Sequence, residues 1–332
     1  MITGIFGVTM QIKKIIAIVA VAVLLAGCAN TNTVAVVTAT PLPTPIETPA
    51  PTATPTPVPT PEPTPTPDPY FTDEEQVTAD EENGYWLYTS PTLRVEINRV
   101  HDEENSITYF AADIRLKPGE TERGGFSTPE RPGGKSDDLY NIARYYQSVI
   151  AVNGDFLDHH EEDPKGVIIR DGKVFVDDDE EDTLVFMPDG AMQVFSGGET
   201  TADDLLAEGV KNAFSFGPTL VKDGAIQQDK IDGSHVRKKN PRTAVGMFEP
   251  YHFLLVVVDG RGGDYSVGMT LTELAELFKS YGCSVAYNLD GGQSATMNFM
   301  GENINRYGGS LTGQRPVPDA LMFGMSALVE QS

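Results

Sequence analysis

Four short segments combine glycines with side chains that can do chemistry. They are Val152-Asn-Gly-Asp-Phe156, Asn240-Pro-Arg-Thr-Ala-Val-Gly246, Val258-Asp-Gly-Arg-Gly-Gly263 and Asn288-Leu-Asp-Gly-Gly-Gln-Ser-Ala-Thr296. Each reads as an apolar strand running into a polar, glycine-rich turn. Glycines in such turns let backbone amides approach an anion closely. Arg242 and Arg261 carry guanidinium forks that match phosphate or carboxylate oxygens. Asp155, Asp259 and Asp290 are candidate acids, bases or nucleophiles. The same three carboxylates would also suit a divalent cation, although no cofactor is firmly implied. A single Asp-Gly after a strand is more often a plain turn. Four such segments in one domain, joined by two arginines, point to a shared site.

The elements that must position these residues are mostly strands. Leu93–Ile97 alternates apolar and polar residues, as a half-buried strand does, and Ile107–Leu116 reads the same way. Val167–Arg170 and Val174–Val176 flank Asp171-Gly172, and Leu184–Met187 and Ala191–Val194 flank Pro188-Asp-Gly190. Both pairs read as hairpins. Val149–Val152, Arg242–Met247, Phe253–Val258 and Ser284–Leu289 complete the expected strands, and Glu120–Lys135 reads as a loop. Helices are expected over Asp138–Gln147, Thr201–Glu208 and Leu271–Tyr281. The last has a capping box in Thr270 and Glu273, an apolar face of Leu271, Leu274, Ala275 and Phe278, and Gly282 as its stop. The expected class is α+β, a largely antiparallel or mixed β-sheet core with a few helices in a single catalytic domain.

The chain has 332 residues, with Lys+Arg 24 against Asp+Glu 48 and a formal net charge of −24. That excludes a protein whose main partner is nucleic acid, because phosphate-backbone binding needs clustered Lys and Arg. Two cysteines, Cys28 and Cys283, exclude a disulfide-stapled scaffold. Lys13 and Lys14 precede the apolar run Ile15–Ala26, which has the layout of a secretory signal and is short for a spanning helix. It ends in Leu25-Ala-Gly-Cys28, which resembles a bacterial lipoprotein processing site and implies lipid attachment at Cys28. The alternative is an uncleaved anchor, and either places the remainder outside the cytoplasm, held at a bacterial membrane. Thr40–Pro69 alternates Pro with Thr and reads as an extended spacer, reaching on the order of 90 Å. The expected organisation is therefore a lipoprotein signal peptide at 1–27, a lipid-anchored linker at 28–83 and a catalytic domain at 84–332.

Several segments also carry a family resemblance. Phe214-Ser-Phe-Gly-Pro-Thr-Leu-Val-Lys-Asp-Gly224, Pro241-Arg-Thr-Ala-Val-Gly246, Val257-Val-Asp-Gly-Arg261, Gly268-Met-Thr-Leu-Thr-Glu-Leu-Ala275 and Asn288-Leu-Asp-Gly-Gly292 resemble the phosphodiester glycosidase family, in order and spacing. Asn153-Gly-Asp-Phe156 and Arg315-Pro-Val-Pro-Asp319 are similar to its upstream and closing motifs. Gln293 and Ala295 depart from it, standing where glycine and serine are common. The resemblance implies a hydrolase that cuts the glycosidic C–O bond of a sugar-1-phosphodiester, such as an N-acetylglucosamine-1-phosphate-linked glycan or wall polymer. It implies that Arg242 and Arg261 grip the phosphate. The amides of Gly291 and Gly292 and the hydroxyls of Ser294 and Thr296 would add donors. Asn153 and Asn288 would orient sugar or phosphate, or else cap turns. A sugar phosphate is a good leaving group, so one carboxylate as nucleophile or base suffices, Asp290 before Asp259 before Asp155.

Other features have plainer readings. His159–Asp163 and the acidic run Asp177–Asp182 read as solvated loops rather than metal sites. His235, Arg237, Lys238 and Lys239 either border an anionic substrate or are surface. Cys283 reads as a small buried hydrophobe, and Trp86 and Tyr88 as packing residues. Two other functions compete with the glycosidase: a metal-dependent phosphoesterase using the three aspartates, and a surface lipoprotein that binds phosphoglycan without turnover.

Overall fold

The central strand of the structure, a computed structural model, is His252–Val258, buried along its whole length. Its alternate side chains feed two cores. Phe253, Leu255 and Val257 face one, and Leu254, Val256 and Val258 the other. The near-continuous apolar run is therefore what a strand covered on both faces requires. The structure describes residues 68–126, 136–155, 165–178, 180–306 and 313–331. They belong to one compact unit, Pro65–Ser332. The signal segment, Cys28, most of the Thr/Pro tract and His159–Asp163 lie outside the described residues.

Among the described residues the strands form three sheets. The nine-stranded sheet runs Gln76–Asp80, Tyr85–Thr89, Leu93–Asp102, Ile107–Leu116, His252–Val258, Arg242–Glu249, Val285–Leu289, Thr219–Lys222, Ala225–Ile226. A five-stranded sheet orders Met192–Phe195, Thr183–Phe186, Ala213–Ser215, Val167–Arg170 and Lys173–Asp177. Another orders Glu302–Asn303, Met297–Phe299, Ser148–Asn153, Asp319–Met325 and Glu122–Phe126. The strand ladders are antiparallel throughout. The fold is thus α+β with few helices, as the composition of elements predicts.

One face of the large sheet packs against the two smaller sheets, which contribute Ile150, Phe186, Phe214 and Phe323 to the shared core. The other face packs on the helix Leu271–Tyr281, whose Leu271, Leu274, Ala275 and Phe278 are buried. That helix keeps its expected bounds because both ends are specified locally. Thr270 and Glu273 form a reciprocal capping box, and Gly282 is left-handed at φ 92°. Gly246 lets it approach closely, since a Cβ there would lie 2.6 Å from the Phe278 ring. Trp86 and Tyr88 are buried in the first core.

Two differences from the sequence reading have physical causes. Glu122–Phe126 is a strand inside the expected loop, because Asp319–Met325 supplies a backbone ladder that local propensity does not reveal. The sheet also begins upstream of Gly84, which falls in the turn between Gln76–Asp80 and Tyr85–Thr89.

Candidate active site

Strand register brings the motifs together. Arg242 lies opposite Val258, and Thr243 opposite Leu289. The turns that follow Val258 and Leu289 therefore emerge beside the start of the Arg242 strand. From the neighbouring sheet, the end of Ser148–Asn153 arrives beneath them. Asn153 Nδ2 donates to the Asp290 carbonyl at 2.6 Å, while its Oδ1 accepts from the Thr243 hydroxyl and the Thr296 amide. Asn153 thus ties three segments together and is buried. The Asp290 amide donates to the Gly154 carbonyl at 3.2 Å.

A cleft of about 280 Å³ opens at this junction, lined by Arg242, Arg261, Asp290, Gly291, Gly292 and Arg315 with Phe216, His235, Val236, Asn240 and Gln293. Asp290 is its only carboxylate among the described residues, and it is 7% exposed. Its Oδ1 accepts from the Gly291 amide at 2.8 Å, and its Oδ2 from Arg315 Nη2 at 2.7 Å. Burial pushes its pKa up, and Arg315 and the Ser294 hydroxyl pull it back down. Arg315 also donates to Ser294 Oγ, from Nε at 3.0 Å and Nη2 at 2.6 Å.

Arg242 is buried without a carboxylate partner among the described residues. Its Nε donates to the Met269 carbonyl and its Nη2 to those of Val236 and Lys238, which pins the 236–240 loop. Nη1 has no acceptor among the described residues. Burial without a counter-charge lowers the Arg242 pKa to about 10. Arg261 has φ 56° and reaches Asn240 Oδ1 at 3.0 Å. It lies over the bare face of Gly292, which itself has φ 64°, and a Cβ there would sit 3.1 Å from Arg261 Nη2.

The three predicted aspartates take separate positions. Asp259 accepts from Asn305 Nδ2, the Tyr265 hydroxyl and the Arg306 amide, all within 3.1 Å. Burial raises its pKa to about 6. Asp155 pairs with Arg170 at 2.6 Å, and Asp319 shares that guanidinium at 2.5 Å. Burial pushes both carboxyls up while Arg170 opposes it. Neither Asp155 nor Asp259 lines the cleft. No group of three or more His, Cys, Asp or Glu among the described residues is placed to hold a metal ion.

The amides of Gly291 and Gly292 are used inside the protein, on Asp290 Oδ1 and the Pro241 carbonyl. Asn288 donates to the Gly217 carbonyl, and its Oδ1 and the Thr296 hydroxyl are buried without a hydrogen-bond partner among the described residues. Neither lines the cleft. The sequence reading quoted Arg315 in its closing motif but gave it no role. Its position beside Asp290 is set by the Arg315 amide bonding to the Gln293 carbonyl, a contact that no local pattern signals. Arg170 had no signal, and Asp319 stood in the same closing motif without a role, because the ion pairs of Arg170 span 15 and 149 residues. Asp182, from the acidic run, is held by Thr219 and Lys230. Cys283 is buried and its thiol is pushed up to about 12.

The chain is similar in sequence and in fold to several known proteins. The chain is 32% identical over 189 residues to the SPbeta prophage-derived uncharacterized protein YomE of Bacillus subtilis (strain 168), covering 55% of this chain. It spans 29% of that relative's length. The fold is similar to the zebrafish N-acetylglucosamine-1-phosphodiester alpha-N-acetylglucosaminidase catalytic domain auto-inhibited by its pro-peptide. The TM-score is 0.59 at 22% identity, over 76% of this chain and 88% of that one. A hypothetical protein from Synechocystis is similar in fold at TM-score 0.56 and 14% identity, over 70% of this chain and 62% of that one. A sequence model of the phosphodiester glycosidase family matches residues 146–324, the span that carries the cleft, and the chain belongs to that family.

Proposed function

We propose that this protein hydrolyses the glycosidic C–O bond of a sugar-1-phosphodiester within a phosphorylated glycan. The observation that carries the reading is the cleft's charge pattern. Three arginines surround one carboxylate in a chain whose net charge is −24. Such a cleft attracts an anion that the rest of the surface repels. Arg261 and the free Nη1 of Arg242 would hold the phosphate oxygens. A second cavity of about 270 Å³ shares Phe216, His235 and Val236 with the cleft, and would receive the sugar or the group beyond the phosphate.

Asp290 is the group placed to act on the anomeric carbon. As a base it takes a proton from water, whose hydroxide oxygen bonds the anomeric carbon. The C–O bond to phosphate breaks and its electron pair leaves on the phosphate oxygen. The departing phosphomonoester is a weak base, so no strong acid need protonate it. As a nucleophile, Asp290 would form a glycosyl ester that water then opens. In either route Arg315 opposes the upward push of burial on Asp290 and so favours its ionised form.

The site is proposed to work outside the cytoplasm, on a chain lipid-anchored at Cys28. Support comes from Lys13 and Lys14, the apolar run to Ala26 and the Leu25–Cys28 motif. The deciding experiment incubates the full chain with an N-acetylglucosamine-1-phosphodiester in ¹⁸O-labelled water, with and without chelator. Label in the free sugar is expected. Label in phosphate that chelator abolishes would mean a metal phosphoesterase, and no turnover across several sugars would mean a binding protein.

A further inference from the structure

The loop from Asp259 to Ser266 serves two cavities. Arg261 lines the cleft, and Tyr265 lines a separate cavity of about 360 Å³ that shares no lining residue with it. Arg99, His101 and Arg306 surround this second cavity, and no carboxylate among the described residues lines it. The chain has twice as many acidic as basic residues, yet half of the described guanidiniums make no ion pair. Among the described side chains, Arg99, Arg237, Arg242, Arg261 and Arg306 make no ion pair. Arg242 and Arg261 line the cleft and Arg237 lies on the loop beside it. Arg99 and Arg306 meet at the second cavity.

This cavity has a built floor. Arg306 stacks on the Tyr265 ring, 4.0 Å from its centroid, and the His101 ring stacks with the same ring at 6.2 Å. The Tyr265 hydroxyl donates to Asp259 Oδ2 and its carbonyl accepts from the buried Thr108 hydroxyl. His101 Nδ1 lies 2.8 Å from that hydroxyl oxygen. Both Asp259 oxygens are taken by Asn305, Tyr265 and the Arg306 amide, so its charge is engaged below the ring. Two guanidinium forks without ion pairs, one of them held against a fixed aromatic ring, suit the oxygens of a phosphate attached to a sugar or polyol.

We infer that the Arg99–His101–Arg306 cavity binds a further phosphodiester unit of the same polymer whose scissile linkage enters the cleft. The substrate class is then a repeating phosphodiester polymer rather than an isolated sugar diester. The inference rests on the proposed reading of the cleft for its substrate, but its binding arm stands apart from turnover.

The test uses the full chain carrying Asp290→Asn, which blocks turnover, and a synthetic decamer of N-acetylglucosamine-1-phosphate units joined by phosphodiesters, titrated calorimetrically at low salt. Adding Arg99→Ala and Arg306→Ala is expected to weaken decamer affinity about tenfold, with inorganic phosphate binding unchanged within about twofold. Arg99→Lys with Arg306→Lys keeps the charge and is expected to recover part of the loss. Equal decamer affinity in the Ala variant overturns the inference. So does a loss shared equally by inorganic phosphate, which would mean that the arginines hold a lone anion and not a further unit of a polymer. A loss that the Lys variant restores not at all, with a lowered melting temperature in both variants, would assign the arginines to folding and also overturn it. In the protein with Asp290 intact, failure to turn over any sugar diester, alongside Arg99- and Arg306-dependent decamer binding, would sink the hydrolase reading alone.

Discussion

Asp290 and Arg315 form the pair on which the proposed chemistry turns. Asp290→Asn keeps the side chain's shape but removes its ability to take a proton or attack carbon. We expect kcat to fall by about three orders of magnitude, with the substrate still bound. Activity within about tenfold of the parent, read in steady-state kinetics, would remove Asp290 from the reaction. Arg315 lowers the Asp290 pKa that burial raises. Arg315→Met leaves burial less opposed, so Asp290 ionises at higher pH. The acid limb of kcat/KM against pH should therefore move upward, and an unmoved limb would detach Arg315 from the reacting group. The sequence made Asp290, Arg242 and Arg261 visible because each sits in a motif of its own. Arg315 was not legible as a partner, since its guanidinium reaches Asp290 across 25 residues.

At the scale of elements, the turn after Leu289 and the helix after Thr270 are set by local backbone demands. Gly292 is left-handed and touches Arg261. Gly292→Ala should lower stability by about 1–2 kcal/mol. It should also lower kcat/KM about tenfold by displacing the Arg261 fork. A variant with full activity would show that Arg261 holds no substrate. Gly246→Ala drives a methyl into Phe278 between sheet and helix. It should cost about 1–3 kcal/mol in denaturant unfolding with KM unchanged. The helix was legible from sequence in full, because its cap, apolar face and stop are close neighbours in the chain. The strand Glu122–Phe126 was not, because its partner Asp319–Met325 lies near the other end of the domain.

The whole molecule keeps several carboxyls buried, and this sets its response to pH. Burial raises the pKa of Asp155, Asp259, Asp290 and Asp319 in the folded state. A carboxyl with a raised folded pKa favours folding while protonated, and that contribution is lost as pH rises through the folded value. For Asp259 the loss begins near the ordinary carboxyl value of 3.8 and is complete just above pH 6. Asp80, Asp102 and Glu273 are lowered instead, so their contribution is complete above the ordinary carboxyl range. The melting temperature, read by calorimetry, should therefore fall between about pH 5 and pH 8. Self-repulsion at a net charge of −24 acts in the same direction. A melting temperature that rises over this window would contradict the raised folded values of these carboxyls. Asp259→Asn should flatten the part of the fall that lies on the acid side of pH 6.

The sequence by itself determined which residues can do chemistry, where most strands and helices form and where the turns lie. Those properties follow from side-chain type, local periodicity and backbone preference within a few residues. Only the tertiary structure decided which of the three Asp-containing turns opens into the cleft. Arg242 opposite Val258 and Thr243 opposite Leu289 align the strand ends, Asn153 ties their turns, and Arg170 gathers Asp155 and Asp319 elsewhere. The physical reason is that register and sheet packing are set by burial of apolar faces summed over the whole sheet, while each motif carries only its own residues.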